Sequence, residues 1–154
     1  MPPDARVWVY QSNKALTDAE VKLIQEEGGK FLTDWNAHGA ALRASFEVLY
    51  NRFVVIGVDE KQALASGCSI DKSVHFIKSL EQKFNLNFFD RMQVAYKNEG
   101  LILACSLSEF EKLAEQKKVN ENTIVFNNMV SNKSSFEKEW EVPLKNSWQN
   151  RVLK

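Results

Sequence analysis

Cys68 stands in a run of small polar residues, Ala65-Ser66-Gly67-Cys68-Ser69-Ile70-Asp71-Lys72-Ser73, at the point where an apolar helical stripe begins. At a helix start the backbone N–H groups lack partners, and a thiolate is favoured over a thiol. Two chemistries use that arrangement. Cys68 could be a nucleophile, with His38 or His75 as its base and the helix-start amides as an oxyanion site. Its structural reading is a small, partly buried thiol at a crowded helix entry. Ser66, Gly67 and Ser69 could instead seat a phosphate or carboxylate, with Arg52 or Arg43 supplying countercharge. A helix-capping Ser66 or Ser69 uses the same geometry without any ligand. Asp59 and Asp71 flank the loop and could orient a histidine or bind a cation. Structurally they read as a strand-ending turn and a first-turn complement to the helix dipole.

Other chemistries find less support. Two cysteines and two histidines are too few for a disulfide scaffold or a histidine-rich metal centre, so neither a metal nor a cofactor is expected. The 20 basic residues balance 20 acidic ones, which argues against a nucleic-acid partner. Trp8, Trp35, Trp140 and Trp148 could form an aromatic platform for bases or sugars, but no basic cluster accompanies them. They read better as core and tail packing. The Lys-rich pieces at 112–118 and 133–145 are interleaved with Glu and read as solvated faces. No segment approaches the roughly 20 apolar residues that span a bilayer, and the start lacks a signal-peptide core. The expectation is a cytoplasmic protein with reduced thiols and no membrane insertion.

The elements that must position these residues follow from periodicity. Arg6 to Tyr10 predicts a strand, closed by Gln11-Ser12-Asn13-Lys14. Thr17 and Glu20 have capping-box spacing, with Leu16 and Val21 as a hydrophobic staple. The helix they open carries Val21, Ile24, Phe31 and Trp35 on one stripe and is expected to end near His38-Gly39, where a cationic imidazole suits the dipole. Gly28-Gly29 in its interior predicts a bend or a close packing contact, since each glycine costs about 1 kcal/mol against alanine. From Ala41 the period becomes two: Leu42, Ala44, Phe46, Val48 and Tyr50 share one face and Arg43, Ser45 and Glu47 the other. Phe53 to Val58 follows across a tight hairpin at Asn51-Arg52. A second long helix carries Ile70, Val74, Ile77 and Phe84. Strands at 92–96 and 101–105, a helix opened by Ser106 and Glu109, and a strand at 123–126 complete the core.

This order predicts an α+β fold: a ferredoxin-like, split β-α-β sheet with helices on one face, extended by an extra hairpin strand, a short helix and an ordered C-terminal tail. One domain spans 1–154, with its core at about 6–126 and a wrapping segment at about 127–154. A chain of this length buries roughly two-thirds of its unfolded surface. The sheet's second face is left for a ligand, a second subunit or the tail, and a homodimer is one outcome.

Trp35-Asn36-Ala37-His38-Gly39, the hairpin from Phe46-Glu47 to Arg52-Phe53, the loop from Val58-Asp59-Glu60 to Asp71, and Ser147-Trp148 together look familiar. The chain resembles, over nearly its whole length, a family of small uncharacterised bacterial proteins commonly labelled "ABC transporter ATPase". The resemblance implies no established activity, and the residues disagree with the label. A P-loop needs a strand, a glycine-rich loop and Gly-Lys-Ser/Thr. Gly28-Gly29-Lys30 lies inside an amphipathic pattern and is followed by Phe31. Ser66-Gly67-Cys68-Ser69 also lacks the second glycine of an ABC signature. P-loop ATP hydrolysis is therefore excluded, and an accessory role to a transporter stands only by analogy with the label.

The sequence thus points to a binding or interaction domain for a small anion or a protein partner. Its expected site is the Asp59–Asp71 loop beside Arg52 and His38. A cysteine-dependent hydrolase or acyl-transfer enzyme built on Cys68 and a structural scaffold are the alternatives.

Overall fold

In the computed structural model, which describes residues 1–61 and 63–153, the chain is a mixed α+β protein with three antiparallel sheets. The first strand, β1 (Arg6–Gln11), leads to α1 (Asp18–Asp34). The capping box forms as its spacing predicts: Thr17 Oγ1 accepts from Glu20 N–H at 3.1 Å, and Glu20 Oε1 accepts from Thr17 N–H at 3.0 Å. The helix runs unbroken through Gly28-Gly29. Gly28 is buried against the Phe46 ring, so the glycine pair marks close packing.

α1 ends four residues before the expected His38. Trp35 leaves the helix in an extended conformation, its ring only 2 % exposed, and its indole N–H donates to the Ser69 carbonyl at 2.8 Å. Continuing the helix would carry this ring off that acceptor. β2 (Asn36–Ala37) and β3 (Ala40–Ala41) instead form a small hairpin. His38 and Gly39, with φ of +51° and +84°, make its turn. The long strand expected from Ala41 is thereby divided, and β4 (Arg43–Leu49) begins after Leu42. Tyr50 and Asn51, both with positive φ, turn it into β5 (Phe53–Asp59).

β5 lies between β1 and β4, antiparallel to both. These three strands carry the connectivity expected for the first part of a split β-α-β unit. α2 (Gly67–Phe84) follows, and its buried positions are Ser69, Ser73, Ile77 and Leu80; of the expected stripe Ile77 is buried, while Ile70, Val74 and Phe84 are only partly so. Two serines can be buried because their hydroxyls donate back into the helix, to Ser66 O at 2.8 Å and to Ile70 O at 2.6 Å. The helices cover one face of the sheet, where Ile24, Ile77 and Leu80 meet Val54, Ile56 and Val58.

The next strand departs from the expected pattern. β6 (Gln93–Asn98) does not pair with β1 but centres a second sheet with β7 (Leu101–Ser106), β8 (Ile124–Phe126) and β9 (Glu141–Pro143), ordered β7-β6-β8-β9. This sheet packs on the supposedly open face of the first. Val7 and Phe53 meet Ala95, Phe126 and Trp140 there, with the Phe53 ring 4.7 Å from Phe126 and 4.9 Å from Trp140. That face is therefore occupied by the chain itself. The far side of the second sheet is covered by α3 (Leu107–Glu115), capped by Ser106, together with Leu144 and Val152.

The C-terminal segment is more regular than a wrapping tail. It supplies α4 (Lys133–Glu139), strand β9 and two short 3-10 helices, and it buries Trp140 and Leu144. Tyr50 ties the first hairpin to β9 by donating to Glu141 Oε2 at 2.8 Å, while Lys97 pairs with Glu141 and sits over the Tyr50 ring.

Candidate functional site

The Asp59–Asp71 loop begins a helix, as its composition suggests, but its polar groups are used internally. Asp59 is buried; its Oδ1 accepts from Lys61 N–H at 3.1 Å, and its Oδ2 lies 3.9 Å from the Arg43 guanidinium. Glu60 Oε2 accepts from Ala65 N–H at 2.8 Å. Ser66 is the N-cap of α2, its Oγ accepting from Ser69 N–H at 3.1 Å and its carbonyl from Ile70 N–H at 2.9 Å. Ser69 is buried beneath the cap. Gly67, Cys68 and Asp71 face solvent.

The expected partners are not gathered at this loop. Arg52 precedes β5 whereas Asp59 ends it, a separation of about 23 Å at the rise of an extended strand. Arg52 is buried there, donating to Ser12 O at 3.2 Å, and burial pushes its pKa down. His38 is exposed at the β2–β3 turn and His75 is exposed on α2. Among the described residues neither histidine hydrogen-bonds the Cys68 thiol. Cys105, in β7, is partly buried, and burial with Glu109 nearby pushes its thiol up to about 11.

Three buried side-chain atoms among the described residues lack a hydrogen-bond partner: Arg52 Nε, and two more at a different place. Along the outer edge of β1 lies a groove of about 700 Å³ whose lining includes Phe88, Phe89 and Trp148. Arg6, Arg91 and Asp90 are the charged residues in its wall. Gln11 and Gln149 also line it, only 8 % and 3 % exposed. Gln11 Nε2 and Gln149 Oε1 are both buried without a hydrogen-bond partner among the described residues. Leaving such an atom unpaired costs about 1–3 kcal/mol.

The orientation of the Gln11 amide is determined by its neighbours. Trp140 Nε1–H can only donate, and it donates to Asn128 Oδ1 at 2.9 Å. Asn128 must then turn its Nδ2–H₂ to Gln11, donating to Oε1 at 2.8 Å. Gln11 is left with its own donor unspent. A buried indole in the C-terminal segment thus fixes which atom of Gln11 is left without a partner.

The sequence gives little sign of this site. Gln11 reads as the first residue of a turn, and Asn128 and Gln149 sit in polar stretches without periodicity. Only the packing of the two sheets and the C-terminal segment brings 11, 128 and 149 into one lining. The exposed Trp148 and Met129, on an otherwise polar segment, are the one visible hint. Searches against known protein families, curated proteins and solved structures find no match.

Proposed function

We propose that the protein is a cytosolic binding domain, and that its ligand site is the groove beside β1 rather than the helix-start loop. One observation carries the reading: a buried amide donor, Gln11 Nε2, and a buried acceptor, Gln149 Oε1, stand unpartnered in the wall of a single groove. A fold tolerates two such orphans where a ligand supplies the complementary atoms. Phe88, Phe89 and Trp148 add apolar surface to the same lining, which is the composition of a recognition pocket. The enzyme alternative has Cys68 exposed at a helix start, but with no base in hydrogen-bond contact among the described residues. The anion seat has a cap that already consumes the Ser66 hydroxyl.

The test is an NMR titration of uniformly nitrogen-15-labelled protein, with N-methylacetamide as the probe. The reading expects the Gln11 and Gln149 amide signals to shift together, and Gln11→Met to remove the response. Shifts confined to Cys68 and its neighbours, or none at all, would contradict it.

A further inference from the structure

Resting on the groove as the binding site, we propose that its occupant is an extended peptide segment of a partner protein, which adds to the free edge of β1 as a fourth strand and carries an acidic side chain. The phase of β1 fixes what that edge offers. Val7 N–H turns away from β5 and donates to Ser131 O at 3.0 Å, so by strand alternation Val9 and Gln11 also turn their N–H groups outward. Residues 128–132 return antiparallel past β1, yet they join it only at one end. There Arg6 bridges Asn132, and Lys133 N–H donates to Ala5 O at 2.9 Å. Toward Gln11 the main chains part, and only the Asn128 side chain crosses. The outward N–H and C=O of Val9 meet no described residue.

The open stretch is therefore a strand edge begun by the chain's own return and left unfinished. It is also the edge that a ferredoxin-like sheet would fill with its next strand, whereas β6 here belongs to the second sheet. Strand addition supplies a main-chain ladder for affinity and alternate side chains for specificity. Here the ladder would meet Val9, while Gln11 Nε2 takes a carbonyl oxygen and Gln149 Oε1 takes an N–H, the two atoms every peptide unit carries. Charge selects among peptides. Of the two arginines in the wall, Arg6 is engaged by Glu60 at 3.6 Å, whereas Arg91 has no ion-pair partner among the described residues. An acidic residue on the segment answers Arg91.

The experiment uses a library of blocked hexapeptides with valine or threonine at alternate positions and a glutamate at either end, read by fluorescence anisotropy against the full chain. Binding peptides are then N-methylated one position at a time. Strand addition expects affinity to fall by about tenfold or more for methyl groups at one parity and little at the other, since each removes one ladder bond. Val9→Pro deletes the outward N–H without touching the β1–β5 ladder, and is expected to weaken every peptide while leaving the circular dichroism unchanged. If that variant unfolds, the N-methyl series alone decides. Exchanging glutamate for lysine is expected to abolish binding, and Arg91→Glu to restore it.

A library with no binder, or loss without parity, would overturn the peptide. N-methylacetamide shifts persisting at Gln11 and Gln149 would in that case leave the groove standing, and their absence would remove both readings. A concentration-dependent dimer in sedimentation that Val9→Pro dissolves would assign the edge to a second copy and overturn the proposal.

Discussion

Gly28 of α1 lies directly against the Phe46 ring of β4, so closely that a methyl group placed on its α-carbon would overlap ring atoms. Gly29, the next residue, has nothing within 4 Å of the same position. Two adjacent glycines therefore have opposite meanings. Gly28→Ala must push the helix from the sheet or the ring from its rotamer, and is expected to destabilise by about 1–3 kcal/mol. Gly29→Ala improves helix propensity without a clash and is expected to stabilise by up to about 1 kcal/mol. Urea unfolding of the two variants measures both, and equal effects would contradict the packing.

The two thiols are expected to differ sharply. Cys68 is exposed, whereas Cys105 packs against α3 with its pKa raised to about 11 by burial and by Glu109. Since the thiolate is the reactive form, alkylation at pH 8 should label Cys68 in the native protein and Cys105 only after unfolding. Mass spectrometry of the digested product assigns the sites. His38→Ala and His75→Ala are expected to leave the Cys68 rate unchanged. A marked slowing in either would revive the cysteine enzyme.

The local rules of the sequence were legible where the physics is local. The Thr17–Glu20 box, the Ser106 cap and the start of α2 at Ser66 all lie where short-range spacing puts them. So do the paired strands on either side of Glu99-Gly100. What was not legible depends on partners far away in the chain. His38 read as a helix end because nothing local reveals that Trp35 is held by Ser69, across 34 positions. The stripe of α2 read through Ile70 and Val74 because a buried serine looks polar until its hydroxyl is seen to turn back on the helix. The second sheet hid for the same reason. Ala95, Ala104 and Ile102 carry no mark of facing Phe53, and Gln11 carries none of facing Asn128. At the Asp59–Asp71 loop, Asp59, Glu60, Ser66 and Ser69 are engaged within the loop and Gly67, Cys68 and Asp71 face solvent, while Arg52 and the histidines lie elsewhere.

Alkaline pH should destabilise the protein in part through its phenols. All three tyrosines, Tyr10, Tyr50 and Tyr96, are raised above their ordinary value, in each case chiefly by burial; Glu141 adds to the effect at Tyr50 and Cys105 with Glu109 at Tyr96. A group that holds its proton more tightly when folded contributes full stability below its unfolded pKa, and that contribution is lost as pH rises through the folded value. Melting temperature is expected to be flat near neutrality and to fall above about pH 9 to 10, where free thiols and phenols ionise. Phenolate absorbance in the native protein should lag behind that of the urea-unfolded chain. Coincident titration curves would mean that the tyrosines are not desolvated.

The last prediction inverts the groove. Trp140 Nε1–H holds Asn128 Oδ1, which leaves Asn128 donating to Gln11 Oε1 and Gln11 Nε2 facing away unpaired. Asn128→Asp keeps the acceptor for Trp140 but replaces the second donor with an oxygen. Two acceptors cannot face one another, so the Gln11 amide must rotate, donate to the new carboxylate and present its carbonyl oxygen instead. The groove would then offer an acceptor where the wild type offers a donor. Trp140→Phe is the companion variant: it retains most of the ring packing with Phe53, Phe126 and Phe136 but removes the donor that sets the relay. It is expected to cost about 1–2 kcal/mol and to free both amides to rotate. Side-chain amide spectra of Gln11 give one signal pair for the wild type, one displaced pair for Asn128→Asp, and broadened or doubled signals for Trp140→Phe. An unchanged Gln11 signal in Asn128→Asp would show that its orientation is set from the groove side, and not by Trp140.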